Sequence, residues 1–118
     1  MKLLLGIFLG IFFFGGCASD SQSDLIIPET LNKVNYTNRV KAIIDDNCIV
    51  CHNSDPNPIA PFPLETYNQV KDKAQNGQLL TRIQLPAGDP AVMPKTGKMP
   101  QQLIDVIVAW AEGGFLEN

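Results

Sequence analysis

The first helical pattern in the chain lies over residues 39–47. Three apolar residues fall on one face at i, i+3 and i+4 spacing: Val40, Ile43 and Ile44. Thr37 and Asn38 precede this run, and both are favourable N-cap residues. The pattern therefore predicts a helix that begins after one of these two residues and ends at Asn47.

The strongest amphipathic pattern covers residues 101–112. Its apolar stripe consists of Leu103, Ile107 and Trp110, with a second row beside it formed by Ile104, Val108 and Ala111. Gly113 and Gly114 follow at once, and glycine is common at helix C-termini. The pattern predicts a helix from Gln101 to Glu112.

Two weaker patterns lie between these helices. Residues 65–75 form a polar stretch in which Tyr67 and Val70 face inward, and Gly77 stops it. Residues 78–84 form a short helical turn whose apolar residues are Leu79, Leu80 and Ile83. Two further helices are therefore predicted here.

Proline, glycine and asparagine interrupt the chain at 53–63 and at 85–100, which predicts two loops. No stretch shows the alternation of apolar and polar residues that is typical of a strand. The pattern therefore predicts an all-α fold with about four short helices. A domain of roughly 80 residues is close to the lower size limit for a self-sufficient core. These features suggest that a group other than protein fills the middle of the domain.

The first 16 residues differ in composition from the rest of the chain. Eleven of them are hydrophobic, but an apolar helix of twelve residues spans only about 18 Å, short of a hydrocarbon core of about 30 Å. The segment is typical of a secretory leader. It ends in Phe14-Gly15-Gly16-Cys17, which resembles the lipobox of bacterial lipoproteins, whose leader is cut before an acylated cysteine.

This interpretation predicts a lipoprotein signal peptide over 1–16 and a lipid-anchored Cys17 that starts a flexible tether over 17–35. The protein is then exported and held on the periplasmic or cell-surface side of a bacterial membrane. The alternative is ordinary cleavage nearby, which leaves Cys17 as an unmodified thiol. A polar tail without a tethering role is equally compatible with the residues that follow Cys17.

Removing the leader leaves eight Lys or Arg against twelve Asp or Glu, a net charge of −4. Nucleic-acid binding needs a basic face, so this balance argues against a nucleic-acid partner. No catalytic triad or acid–base pair is evident in the sequence. Asp45 and Asp46 are interpreted as a solvated helix face.

The sequence Cys48-Ile49-Val50-Cys51-His52 carries the candidate chemistry. C-x-x-C-H is the attachment signature of a c-type haem. Two thiols three residues apart on a helical turn reach the same porphyrin edge, and the adjacent histidine offers a nitrogen to the iron. Three alternatives are a redox C-x-x-C, which is typical of a βαβ context, a zinc site short of its fourth ligand, and a structural disulfide.

A second axial ligand cannot be histidine from this chain, because His52 is its one histidine. Met93 and Met99 are the candidates, and both precede a proline in the second predicted loop. Lys95 and Lys98 are weaker options, and an open sixth position is the remaining one. Methionine sulfur is a soft donor that raises the reduction potential of haem iron.

At this point the chain resembles a small class I cytochrome c, over about residues 36–118. The resemblance rests on the helix before the motif, on Leu64-Glu65-Thr66-Tyr67, on Arg82-Ile83, on Met93-Pro94-Lys95-Thr96-Gly97 and on Ile107-Val108-Ala109-Trp110. It implies a cytochrome c-like all-α domain around one covalent haem c. In this resemblance Met93 matches the distal axial ligand, with Met99 as the alternative.

The resemblance also implies contacts inside the domain. The first helix is expected to pack on the last, with Val40, Ile43 and Ile44 against Leu103, Ile107 and Trp110. A loop carbonyl is expected to accept from the second nitrogen of His52, and Pro61 is the residue we assign to it. Arg82 either pairs with a haem propionate or is a solvated surface residue.

The function expected from these features is that of an electron-transfer protein and not of an enzyme, passing single electrons between redox proteins of unknown identity. Six-coordinate iron with Cys48 and Cys51 as thioethers, His52 as proximal ligand and Met93 as distal ligand suits that role. Two alternatives remain: a haem-based sensor or ligand-binding module, and an electron-entry subunit of a larger membrane oxidoreductase.

Overall fold

The computed structural model describes residues 34–118, and these residues form an all-α fold with no strand. Four α-helices follow one another along the chain: α1 (Lys41–Asn47), α2 (Tyr67–Gln75), α3 (Gln78–Gln84) and α4 (Gln101–Glu112). A π-helical turn, Tyr36–Val40, leads directly into α1. The expected all-α class is confirmed for the described residues.

The first helical segment begins earlier than the sequence pattern predicts. Asn35 is its N-cap, because the Asn35 side-chain oxygen accepts from the Asn38 backbone N–H at 2.8 Å. The predicted caps, Thr37 and Asn38, already lie inside the π-helical turn. The N–H of Thr37 is used instead to donate to the carbonyl oxygen of Glu117, 3.0 Å away. The predicted end of the segment at Asn47 is confirmed.

The π-helical turn and α4 meet at the centre of the fold. Trp110 of α4 is fully buried, and its ring centre lies 5.9 Å from that of Tyr36. Buried Val40 and Ile44 belong to the same core as Ile107 and Trp110, as expected from the resemblance. That resemblance also places Leu103 in the packed face, but this residue is only partly buried at the edge of the core.

Helices α2 and α3 form a hairpin that packs beside α4. Thr66 and Gln69 form a capping box, so α2 begins at Tyr67 rather than at residue 65. Gly77 joins the two helices with a φ of 82°, a left-handed conformation that glycine adopts at little cost. The predicted bounds of α3 and α4 are confirmed.

Residues 85–100 are irregular, as their proline and glycine content predicts. The loop nevertheless contributes to the interior, because Val92 and Met99 are both buried. Its position is fixed to α3 by a hydrogen bond from the Met93 N–H to the Arg82 carbonyl oxygen, at 3.1 Å. Among the described residues, no helix combines the length and apolar character needed to cross a bilayer.

Candidate functional site

The C-x-x-C-H segment forms a helical turn at the end of α1. Cys48 is the C-cap of α1, and its carbonyl oxygen accepts from the N–H groups of Cys51 at 3.2 Å and of His52 at 2.9 Å. These bonds bring both cysteines and the histidine onto a single turn. Cys48 and Cys51 are half-buried, and both are free thiols in this structure.

His52 is buried although its side chain is polar, with 9% of its surface exposed. Its Nδ1–H donates to the carbonyl oxygen of Phe62 at 3.0 Å. This bond selects the tautomer in which Nε2 keeps its lone pair, the form of imidazole that binds a metal ion. The Phe62 ring lies against the imidazole, with ring centres 4.7 Å apart.

The carbonyl that orients His52 therefore belongs to Phe62, and our assignment of Pro61 is wrong by one residue. The reason lies in two backbone bonds that fix the register of the loop. The Ala60 N–H donates to the Cys51 carbonyl oxygen at 3.1 Å, and the Leu64 N–H donates to the His52 carbonyl oxygen at 2.9 Å. Between these two anchors, the chain turns the Phe62 carbonyl towards the ring.

Burial raises the pKa of the Cys48 thiol to about 11. At neutral pH this sulfur is therefore protonated and is a weak nucleophile. Catalytic C-x-x-C motifs of redox proteins lower a thiol pKa instead, and they are typical of a βαβ context that residues 34–118 lack. Both observations weigh against the dithiol oxidoreductase alternative.

The zinc alternative also receives no support. Within residues 34–118, no three side chains of His, Cys, Asp or Glu are grouped as metal ligands. A structural zinc site needs four such ligands.

The two candidate methionines lie in different environments. Met99 is 4% exposed and belongs to the hydrophobic core. Met93 is half-buried, and its backbone is hydrogen-bonded to α3 through the Arg82 carbonyl oxygen. A buried methionine in contact with core residues has a packing role, and this describes Met99.

Both lysines of the loop are engaged with backbone carbonyls. Lys95 Nζ donates to the Pro90 carbonyl oxygen. Lys98 Nζ donates to the carbonyl oxygens of Gln84 at 3.1 Å and Leu85 at 2.7 Å, which cap the C-terminus of α3. The Lys98 ammonium therefore holds the loop to the helix, whereas the Lys95 bond lies within the loop.

Arg82 contacts the same loop twice. Its backbone oxygen accepts from Met93, and its guanidinium Nη1 donates to the Ala91 carbonyl oxygen at 3.3 Å. The side chain is exposed at the surface. The two roles expected for Arg82 were a propionate partner and a solvated residue. Neither includes this contact with the loop, because no local sequence pattern indicates it.

Phe62 is the functional residue that the sequence pattern did not single out. Its carbonyl oxygen and its ring both contact His52. Lys73 Nζ also lies 4.8 Å from the centre of the Phe62 ring. The available signal is an aromatic residue within a proline-rich loop that directly follows the motif.

Comparisons with protein-family models, with curated proteins and with solved structures return no match for this chain. Cys17 and the predicted signal peptide over 1–16 lie outside the described residues, as does most of the predicted tether over 17–35.

Proposed function

We propose that this protein is an exported monohaem c-type cytochrome that carries single electrons between redox partners. The observation that carries the proposal is the state of His52. The imidazole is buried next to two free thiols, and its Nδ1–H is bonded to a backbone carbonyl, so Nε2 is the nitrogen available to iron.

The donor set fits a haem c. Cys48 and Cys51 lie on one turn and supply two thiols for thioether bonds to the porphyrin vinyl groups. Each thiol would be joined by addition of its S–H across a vinyl double bond, which needs no oxidant. His52 supplies the proximal nitrogen. The bound group then contributes one-electron exchange between ferric and ferrous iron.

Met93 is the proposed distal ligand. Core burial assigns a packing role to Met99, and the loop that carries Met93 is fixed to α3 by hydrogen bonds from Met93, Arg82 and Lys98. A methionine held on a fixed loop keeps its sulfur in place in both oxidation states. If His52 and Met93 both held the iron, electron transfer would be favoured over substrate chemistry.

The proposal is tested by expressing the full chain together with a c-type haem maturation system. We expect haem to stay on the polypeptide in denaturing electrophoresis, and the oxidised protein to show the weak band at about 695 nm that reports Fe–S(Met) ligation. A protein that carries no haem contradicts the cytochrome assignment. Haem without that band, with rapid carbon monoxide binding by the ferrous form, favours the sensor or ligand-binding alternative.

We also propose that Cys17 is acylated and anchors the protein to a membrane. The support is the sequence pattern alone: an apolar leader that ends in two glycines before a cysteine. Cys17→Ser is expected to move the protein from the membrane fraction to the soluble exported fraction while haem stays attached. Equal membrane recovery of both forms would contradict lipidation at this residue.

A further inference from the structure

Two large apolar side chains stand exposed beside the C-x-x-C-H turn. Val50 lies between the two cysteines and is 73% exposed, and Ile59 in the following loop is 79% exposed. Cys51 directly follows Val50, and Ala60 directly follows Ile59. A hydrogen bond from the Ala60 N–H to the Cys51 carbonyl oxygen joins these two neighbours. The two side chains therefore lie in the same region of the surface. We call Val50 and Ile59 the apolar pair.

The stretch of chain that carries the apolar pair has charge of one sign. Residues 42–70 contain four carboxylates and no lysine or arginine: Asp45, Asp46, Asp55 and Glu65. Asp46 and Asp55 are exposed and form no ion pair within residues 34–118, whereas Asp45 is paired with Lys41. Lys73 approaches the loop from α2, but its Nζ lies 3.3 Å from the Asp72 carboxylate.

We propose that the apolar pair, with the carboxylates of Asp46 and Asp55, is the docking surface for a redox partner whose own contact face has an apolar centre ringed by lysine or arginine. The inference rests on the proposed function, because thioethers at Cys48 and Cys51 fix a porphyrin edge next to Val50. Electron transfer slows steeply with distance, so a partner gains most by docking there. Exposed apolar centres with charged rims are typical of such interfaces.

The charge of the surface indicates which kind of partner binds there. A carboxylate-rimmed surface attracts a basic partner and repels an acidic one, and this attraction weakens as salt screens it. The apolar pair contributes the part of the affinity that salt does not screen. The two contributions can therefore be separated by variants.

The experiment titrates the haem-loaded, isotope-labelled protein with a basic mitochondrial-type cytochrome c as probe. Both proteins are fully reduced, so binding is read from amide shifts without electron transfer. We expect shift changes concentrated in residues 45–60, and an affinity that falls roughly tenfold between about 20 mM and about 200 mM salt. Ile59→Ser should weaken binding about fivefold at fixed salt. Asp46→Asn with Asp55→Asn should flatten the salt dependence.

Two matched variants serve as controls: Leu116→Ser, which changes an apolar residue that is 47% exposed in the C-terminal tail, and Glu112→Gln, which removes an exposed carboxylate at the end of α4. Both should bind like the wild type. Shifts centred elsewhere, or controls as weak as the test variants, would overturn the proposal. Self-association that Ile59→Ser abolishes would assign the surface to a second copy of the chain and also overturn it. The haem spectrum of the same sample reports separately on the proposed function.

Discussion

The side chain of Tyr36 shows how the environment of one residue sets its chemistry. It is 4% exposed and packs against Tyr67 and Trp110, with ring centres 5.4 and 5.9 Å away. Its hydroxyl is buried and has no hydrogen-bond partner within the described residues. Burial raises the pKa of Tyr36, although the nearby Lys41 ammonium acts in the opposite direction. The folded state therefore carries the cost of a neutral, unpaired hydroxyl.

Tyr36→Phe is expected to raise the free energy of unfolding by about 1 kcal/mol, because it removes a buried polar group that gains no hydrogen bond. Tyr67→Phe is the matched control, since it removes the 2.8 Å bond to the Phe115 carbonyl oxygen and should cost about 1 kcal/mol. Denaturant unfolding of the haem-loaded protein measures both. Equal losses in the two variants would mean that the Tyr36 hydroxyl has a partner.

Burial of the Tyr36 hydroxyl also makes the stability of the fold depend on pH. Because the folded-state pKa of Tyr36 lies above its ordinary value of 10.0, the folded protein holds this proton more tightly than the unfolded chain does. The resulting stabilisation is present below pH 10.0 and is lost as the pH rises through the folded-state pKa. As the pH rises from 10.0 towards the folded-state pKa, Tyr36→Phe should therefore lose less stability than the wild type in denaturant unfolding.

Met93 and Met99 should respond oppositely to truncation. Met93→Ala should lower the reduction potential and open the sixth position to carbon monoxide, because it removes the proposed sulfur ligand. Met99→Ala should leave the potential unchanged but cost about 2–4 kcal/mol of stability, because Met99 lies in the core. Voltammetry and unfolding curves separate the effects. A potential drop in Met99→Ala alone would transfer the ligand role to that residue.

At the scale of single elements, α2 depends on its N-terminal cap. The Thr66 hydroxyl accepts from the Gln69 N–H, and the Gln69 side chain accepts from the N–H groups of Glu65 and Thr66. The helix has few buried residues of its own, Val70 and Ala74. Its start is therefore fixed by this reciprocal pair of residues as much as by packing.

Thr66→Ala is expected to lower the free energy of unfolding by about 1 kcal/mol, the usual cost of losing a threonine cap. Thr81→Ala makes the same change at an exposed position inside α3, where alanine favours the helix slightly over threonine. Thermal unfolding followed by circular dichroism compares them. The role assigned to the cap is contradicted if the two variants melt alike.

At the scale of the whole molecule, the C-terminal tail connects the first and last parts of the fold. The Leu116 carbonyl oxygen accepts from the Tyr36 N–H and from Trp110 Nε1–H, both at 2.8 Å. The Phe115 carbonyl oxygen accepts from the Tyr67 hydroxyl. These contacts organise one side of the domain, while the thiols of Cys48 and Cys51 remain half-buried and unbonded. A small domain with such a site is expected to need its cofactor for stability.

Cys48→Ala combined with Cys51→Ala should abolish covalent haem and leave the domain largely unfolded. The proposed reason is that the haem completes the core. Cys17→Ser is the control, since it also removes a cysteine but outside the attachment motif. Haem staining and circular dichroism of the exported proteins measure both properties. A well-folded variant without haem would contradict the dependence of the core on the cofactor.

Features that depend on neighbouring residues could be predicted from the amino-acid sequence. The bounds of α3 and α4, the turn at Gly77 and the irregular loop over 85–100 follow from local spacing, glycine and proline. The spacing of Cys48, Cys51 and His52 likewise determined that they share one turn, because three residues of separation correspond to about one helical turn.

Features that join distant parts of the chain depend on how the helices and loops pack together, and no local pattern predicts them. The first helical segment begins early, after Asn35, where the π-helical turn contacts the C-terminal tail. One of these contacts joins Thr37 to Glu117, which is eighty residues further along the chain. Phe62, and not Pro61, orients His52 because two backbone bonds fix the register of the loop. Met99 is in the core and Met93 is half-buried, although both precede proline. Local sequence patterns do not predict the helix start, the partner of His52 or the burial of the two methionines. Packing and hydrogen bonding between separate segments determine all three.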